Sequence, residues 1–270
     1  MRHDGPADFL LRPDRKLVIG HRGASSEAPE NTLPSFQLAV ELGADALELD
    51  VRLTADGQVV VLHDPTLERT TGASGAVAAM TVSQLRNTDA GYHFTPDGGR
   101  TFPYRDRGVY VPTLAEVLEM IPDIPLLVEV KTPAATQALE RVVMRHGAAD
   151  RVVPASAHHS ALTAFRQRPF RCGASGRDIA RLYFGSLLRA PLPASAYGLL
   201  AVPDRWHGLD VPTSTFIRAA SRLGASVHVW TVDNPDLARR LWQRGAAGIV
   251  TNDVRRILEL RAEMEERGEL

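Results

Sequence analysis

Glu48 and Asp50 stand one residue apart in the stretch Ala46-Leu47-Glu48-Leu49-Asp50-Val51, where every other residue is apolar. No Gly or Pro interrupts the run, so it reads as a strand. Strands send alternate side chains to opposite faces, which puts both acids on the same one. At ~3.3 Å rise per residue they lie about 7 Å apart along the strand and can converge on a single hard cation. Ala55-Asp56-Gly57 then makes a tight turn, and Val59-Val60-Val61-Leu62 runs back to return His63 and Asp64 towards the acids. Glu129-Val130-Lys131 repeats the alternation, with both charges on one face and Val130 on the other. A Lys beside three acids lowers the local negative charge and can meet an anionic substrate.

Groups this far apart in sequence need a scaffold that gathers strand ends. Strands are predicted at 16–20, 46–51, 126–131, 151–155, 171–174, 198–202, 226–232 and 248–251. Between and after them lie helices with legible ends. Thr32 caps one that carries Pro34 in its first turn and stops at Gly43, and Thr113 caps 114–121. Gly147 follows 135–146, Gly224 follows 213–223, and Gly245 follows 235–244; further helices are expected at 160–168, 178–188 and 254–267. Eight strand–helix units imply an α/β fold, the (β/α)8 TIM barrel. A doubly wound sheet would carry a Gly-rich phosphate loop after its first strand, and this chain has His21-Arg22-Gly23 there. Residues 65–110 break the rhythm and read as a small insertion after the second barrel strand, a lid expected to set substrate preference. Residues 16–270 thus form one catalytic domain behind a polar leader at 1–15. In such a barrel the strand ends share one mouth. That mouth gathers His21, Arg22, Glu48, Asp50, Glu129, Lys131, Ser156 and His158, with Trp230 offering an aromatic face to substrate.

Composition narrows the partners. With 31 basic and 32 acidic residues the formal charge is −1, so no field for a nucleic acid is expected. Cys172 is the one cysteine, which excludes an internal disulfide and a thiolate metal cluster. No run of 18 apolar residues and no signal-like N-terminus is present, so neither stable membrane insertion nor export is expected; the expected location is cytoplasmic.

His21-Arg22-Gly23-Ala24, Pro29-Glu30-Asn31-Thr32, Glu48-Leu49-Asp50-Val51, Thr54-Ala55-Asp56-Gly57, Val61-Leu62-His63-Asp64, Glu129-Val130-Lys131 and Val229-Trp230-Thr231-Val232 together resemble the glycerophosphodiester phosphodiesterases. The resemblance runs from Ile19 to about Asp253. It implies a TIM barrel with an insertion after the second strand, and metal-dependent hydrolysis of small glycerophosphodiesters to sn-glycerol 3-phosphate and an alcohol. It further implies that His21 and His63 are the acid and base, that Glu48, Asp50 and Glu129 hold the metal, and that Arg22 and Lys131 hold the phosphate. Attack by the substrate's own 2-hydroxyl is the expected route. Three oxygen donors without a cysteine cluster point to one divalent cation, Mg2+ or Ca2+, rather than zinc. The chain departs from the family pattern at Thr251-Asn252-Asp253-Val254, where Thr-Asp and a nearby Pro are usual, at Ala219-Ala220-Ser221, and at Ser156-Ala157-His158-His159. These differences bear on the released alcohol rather than on the reaction. A barrel phospholipase acting on lysophospholipid or phosphoinositide headgroups would need an apolar lip, for which the insertion has only scattered candidates such as Tyr92, Phe94 and Tyr104. A barrel that only binds phosphodiesters would be expected to lack His21 or His63, and both are present.

Overall fold

In each core strand, alternate residues make two different layers, and that alternation is what builds the molecule. Val18, Leu47, Leu49 and Val128 pack outward against the helices, whereas Leu17, Ile19, Ala46, Leu127, Val153 and Val250 cluster inside the sheet. The computed structural model describes residues 5–167, 169–188 and 196–270. The elements run α1 (Pro6–Leu10), β1 (Leu17–His21), α2 (Leu33–Leu42), β2 (Ala46–Leu53), β3 (Val59–Val61), α3 (Val82–Leu85), α4 (Leu114–Met120), β4 (Leu126–Val130) and α5 (Thr136–Arg145). They continue with β5 (Val152–Ala155), α6 (Gly176–Leu187), β6 (Leu199–Pro203), β7 (Arg205–Trp206), β8 (Leu209–Asp210), α7 (Ser214–Arg222), β9 (Ser226–Trp230), α8 (Pro235–Arg244), β10 (Gly248–Thr251) and α9 (Val254–Glu266).

Seven parallel strands follow the order β5-β4-β2-β1-β10-β9-β6, and β3 folds back antiparallel on the end of β2. The eighth strand expected at 171–174 is reduced to a single parallel bridge, Gly173 to Leu199. Its backbone still spans the gap: Gly173 N–H donates to Pro154 O at 2.8 Å and Ala174 N–H to Leu199 O at 2.7 Å. A Cβ on Gly173 would lie 3.1 Å from that of Ala155, so any larger residue there would have to displace Ala155 slightly. The ring is a TIM barrel closed by this irregular segment.

Local chemistry sets most helix ends as the sequence predicts. Thr113 accepts from Glu116 N–H while Glu116 reaches back to the Thr113 N–H at 2.8 Å, a reciprocal capping box. Gly43 ends α2 at φ +96°, a conformation that only glycine takes without strain. The helix expected at 160–168 is instead two 3-10 turns, His159–Leu162 and Ala164–Arg166. Leu162 and Phe165, three apart, are both fully buried, which suits a three-residue turn.

The polar leader contributes to the core. Within α1, Ala7 and Leu10 pack among the inward residues at the N-terminal end of the barrel, where the Leu10 carbonyl accepts from Ser226 and His228. Residues 65–110 build a satellite core in which Leu67, Val77, Leu85 and Val109 pack on Val60 and Leu62. Among the described residues, no helix is long and apolar enough to cross a membrane.

Candidate active site

The inward series of each strand changes character towards its C-terminal end. Ile19 is followed on its face by His21, Ala46 by Glu48 and Asp50, Leu127 by Glu129 and Lys131, and His228 by Trp230. Strand register aligns these changes, pairing His21 with Glu48 and Asp50 with Glu129. The apolar floor therefore gives way to a charged mouth at one level. His21, Arg22, Glu48, His63, Glu129 and Lys131 line one cavity there, and Trp230 joins them. Asp50 sits beneath, 1% exposed.

The ligating oxygens of Glu48, Asp50 and Glu129 lie within 4.8 Å of one another. Burial, followed by the charges of Asp50 and Glu129, pushes the Glu48 carboxyl well above its usual range. Burial acts the same way on Asp50, but Lys131 and Arg22 outweigh it and hold that carboxylate ionised. Arg22 Nε is 3.0 Å from Asp50 Oδ2, and Lys131 Nζ is 2.9 Å from both Asp50 Oδ1 and Glu129 Oε2. Asn31 adds a side-chain N–H to Asp50 at 2.9 Å. Asp50 Oδ1 and Arg22 Nε are buried without an aligned hydrogen bond despite these distances. Three converging carboxylates, one of them disfavoured as an anion, could hold a metal ion.

The two histidines are tied in different ways. His21 Nδ1 lies 2.7 Å from Asn252 Oδ1, and the Asn252 amide nitrogen donates to Asp233 at 2.7 Å. With that amide oriented, its oxygen accepts, so His21 carries its proton on Nδ1 and leaves Nε2 as the free base. Burial, and then the Arg22 charge, lowers the His21 pKa, which keeps the ring neutral. His63 Nδ1 instead faces a carboxylate, Asp64, at 2.6 Å. Arg69 binds Asp64 and forks onto Glu30 through two contacts of 2.7 Å, and Glu30 accepts from Arg22 at 2.8 Å. A continuous chain of charges thus joins the loop after β1 to His63.

Every side chain expected to act in catalysis, metal binding or phosphate binding is in this assembly. Of the other residues expected at the mouth, His158 is exposed and does not line the cavity, whereas Ser156 does, with its hydroxyl donated to Val130 O at 2.6 Å. No residue of 65–110 reaches the cavity wall, so the expected lid is not there; Arg69 acts from behind His63. Sequence reading missed Asn252, Asp233, Glu30 and Arg69 as partners. Asn252 directly follows β10, so the rule that strand ends meet at the mouth was a signal for it. Glu30 and Arg69 lie in loops, whose path only folding reveals.

A mouth of this kind on an α/β barrel defines a class of phosphate-ester enzymes, and comparison with known proteins sharpens it. Residues 21–256 match the Glycerophosphoryl diester phosphodiesterase family. A glycerophosphodiester phosphodiesterase of Caldanaerobacter subterraneus subsp. tengcongensis is 34% identical over 91% of this chain and 98% of its own. An Oleispira antarctica phosphodiesterase, solved in complex with the product sn-glycerol-3-phosphate, superposes with a TM-score of 0.74 at 28% identity, covering 91% of this chain and 96% of its own. The corresponding domain of an uncharacterised Mycobacterium tuberculosis protein shares the fold with a TM-score of 0.81 at 24% identity, over 93% of this chain and all of that one. The chain belongs to the glycerophosphoryl diester phosphodiesterase family and is an enzyme of that class.

Proposed function

We propose that this chain hydrolyses glycerophosphodiesters to sn-glycerol 3-phosphate and an alcohol, with one divalent cation, Mg2+ or Ca2+, held by Glu48, Asp50 and Glu129. The observation that carries the reading is the pairing of two differently tied histidines beside three convergent carboxylates in one cavity. The product bound by the Oleispira relative supports the substrate class. Residues 16–270 act as one catalytic domain, with 65–110 as its insertion.

When bound, the cation would neutralise phosphate oxygens and favour charge build-up at phosphorus. Arg22 and Lys131 supply positive charge for the phosphate at the mouth. His21 Nε2 accepts the proton of the substrate 2-hydroxyl, and that oxygen attacks phosphorus. The bond from phosphorus to the alcohol breaks, and His63 gives its proton to the departing oxygen. Asp64, kept ionised because Arg69 and His63 outweigh its burial, balances the positive charge on the His63 ring before that transfer. The histidines then exchange roles: His63 takes a proton from water as it opens the cyclic phosphodiester, and His21 returns one to the 2-oxygen. An internal hydroxyl gains an effective molarity of ~10⁵ M or more when well oriented.

A coupled assay for glycerol 3-phosphate over several headgroups tests the reading. Turnover is expected with Mg2+ or Ca2+ and is expected to be lost with chelator. A substrate with its 2-hydroxyl replaced by hydrogen should turn over at least ~10²-fold more slowly, a barrier rise of about 2.7 kcal/mol. Equal kcat for the deoxy substrate assigns the attack to water.

A further inference from the structure

Near the histidines, Arg22 pairs with Glu30 and Asp50, and Arg69 with Glu30 and Asp64. Arg52 is bound differently. Among the described residues it has no carboxylate partner, and its Nε and Nη2 instead converge on one main-chain oxygen, the His63 carbonyl, at 2.9 and 2.6 Å. The guanidinium is half-buried, and burial lowers its pKa from the ordinary arginine value, although Asp50, Asp64 and Glu129 act in the opposite direction. Drawing a charge out of water without an opposite charge is costly, and a neutral carbonyl offsets only part of that cost. What the arrangement does achieve is geometric: two charge-assisted donors fix the position of the atom they share.

We infer that Arg52 is a positioning residue for His63, fastening the backbone of the proton donor to the strand that carries Glu48 and Asp50. The inference rests on the reading of His63 as the group that protonates the departing alcohol. Arg52 lies two residues beyond Asp50 on β2, so its side chain leaves the face that Glu48 and Asp50 share. The returning strand β3 has only three residues, with Val60 opposite Arg52. Past its end, Leu62 N–H donates to Asp50 O at 3.0 Å, and the fork from Arg52 takes the next residue. His63 needs such a hold, because 34% of its side chain is exposed and packing alone leaves it room to move. Asp64 orients the ring through Nδ1, but it is the adjacent residue, and its own anchor Arg69 stands in a turn of the insertion. Arg52 instead refers His63 to a core strand. Misplacing a reacting group by about 1 Å can cost roughly 10²-fold in rate. Arg52 does not line the cavity, so its effect on the reaction passes through His63.

Two substrates separate positioning from general damage. Ethanolamine needs a proton as it leaves glycerophosphoethanolamine, whereas 4-nitrophenol is acidic enough to leave its glycerophosphodiester as the anion. In both, kcat/KM reports the steps through departure of the alcohol. Arg52→Ala should lower kcat/KM at least ~30-fold for glycerophosphoethanolamine and less than ~3-fold for the nitrophenyl diester. Arg52→Lys, which keeps the charge but not the paired donors, should show the same selectivity at ~5-fold or more. Equal losses on the two substrates overturn the inference, as does full activity in Arg52→Ala. Added to His63→Ala, Arg52→Ala should cost less than ~3-fold further with glycerophosphoethanolamine, because the ring it places is gone. A repeated ~30-fold loss in that background shows that Arg52 acts elsewhere and overturns the inference. Hydrogen exchange followed by mass spectrometry gives a readout free of catalysis. In Arg52→Ala, the peptide covering 61–66 should exchange at least ~10-fold faster than in the wild type. Unchanged exchange there overturns the inference whatever reaction the enzyme performs, and turnover of glycerophosphoethanolamine by the wild type decides the phosphodiesterase reading independently.

Discussion

Arg22 takes φ 56° and Asn31 φ 58°, left-handed values that cost a residue with a Cβ and persist where surrounding contacts demand them. Both residues attend Asp50, and the Arg22 backbone N–H also donates to Glu48 at 3.1 Å. The backbone is bent so that one loop can serve two carboxylates. At this scale the histidines carry the sharpest expectation. Purified His21→Ala and His63→Ala should each lose at least ~10²-fold in kcat with the fold intact by circular dichroism, since each removes a proton-transfer group. Near wild-type turnover by either removes that residue from the mechanism. Glu48→Gln, Asp50→Asn and Glu129→Gln should each weaken divalent binding in a calorimetric titration, because an amide keeps the shape without the charge a hard cation needs. Unchanged affinity in all three discards the metal site.

Among the elements, α6 takes the place at the cavity wall that sequence suggested for the insertion. The segment 65–110 was expected to shape the substrate pocket, yet its apolar side chains turn inward on Val60 and Leu62, and its contribution to the site is the Arg69 brace on Asp64. The physical reason is its distribution of apolar residues: Leu67, Val77, Leu85 and Val109 are too few for a lid but enough for a small core. Leu67 is fully buried, so Leu67→Ala should destabilise the protein by about 2–5 kcal/mol, read as a lower urea midpoint. A change within ~0.5 kcal/mol shows that the satellite core contributes nothing to stability. The wall of the cavity opposite the charges belongs instead to α6 and the β7–β8 hairpin.

For the whole molecule, the closed end of the barrel is as telling as the open one. His228 lies fully buried on β9, its Nε2 2.9 Å from the Leu10 carbonyl, and its Nδ1 has no partner. Burial lowers its pKa from 6.5 to about 4, and the Leu10 hydrogen bond only partly opposes that shift. The unfolded chain therefore takes up this proton at a higher pH than the folded one. The stability contributed by neutral His228 is complete above pH 6.5 and declines as pH falls to about 4. The loss approaches about 3 kcal/mol at 1.36 kcal/mol per pH unit. Urea titrations between those limits should show His228→Gln with a shallower decline than wild type. Parallel slopes rule out this histidine as a source of acid sensitivity.

Much of the site was legible because its signals are local. Strand alternation alone put Glu48 with Asp50 and Glu129 with Lys131, and the turn at Asp56-Gly57 returned His63 to the acids. Helix ends at Thr113 and Gly43 were likewise written in residue chemistry that acts over three or four positions. The barrel followed from the count of strand–helix units, although the closing strand at 171–174 forms a single bridge rather than a ladder. What sequence could not supply was everything joined across long loops: the Arg22–Glu30–Arg69–Asp64 chain, the Asn252 carbonyl on His21, Leu10 beneath His228, and the apolar wall of α6 facing the acids. Alternation along a strand fixes which side chains share a face, but contacts between elements depend on how the whole ring closes, and only the folded chain decides that.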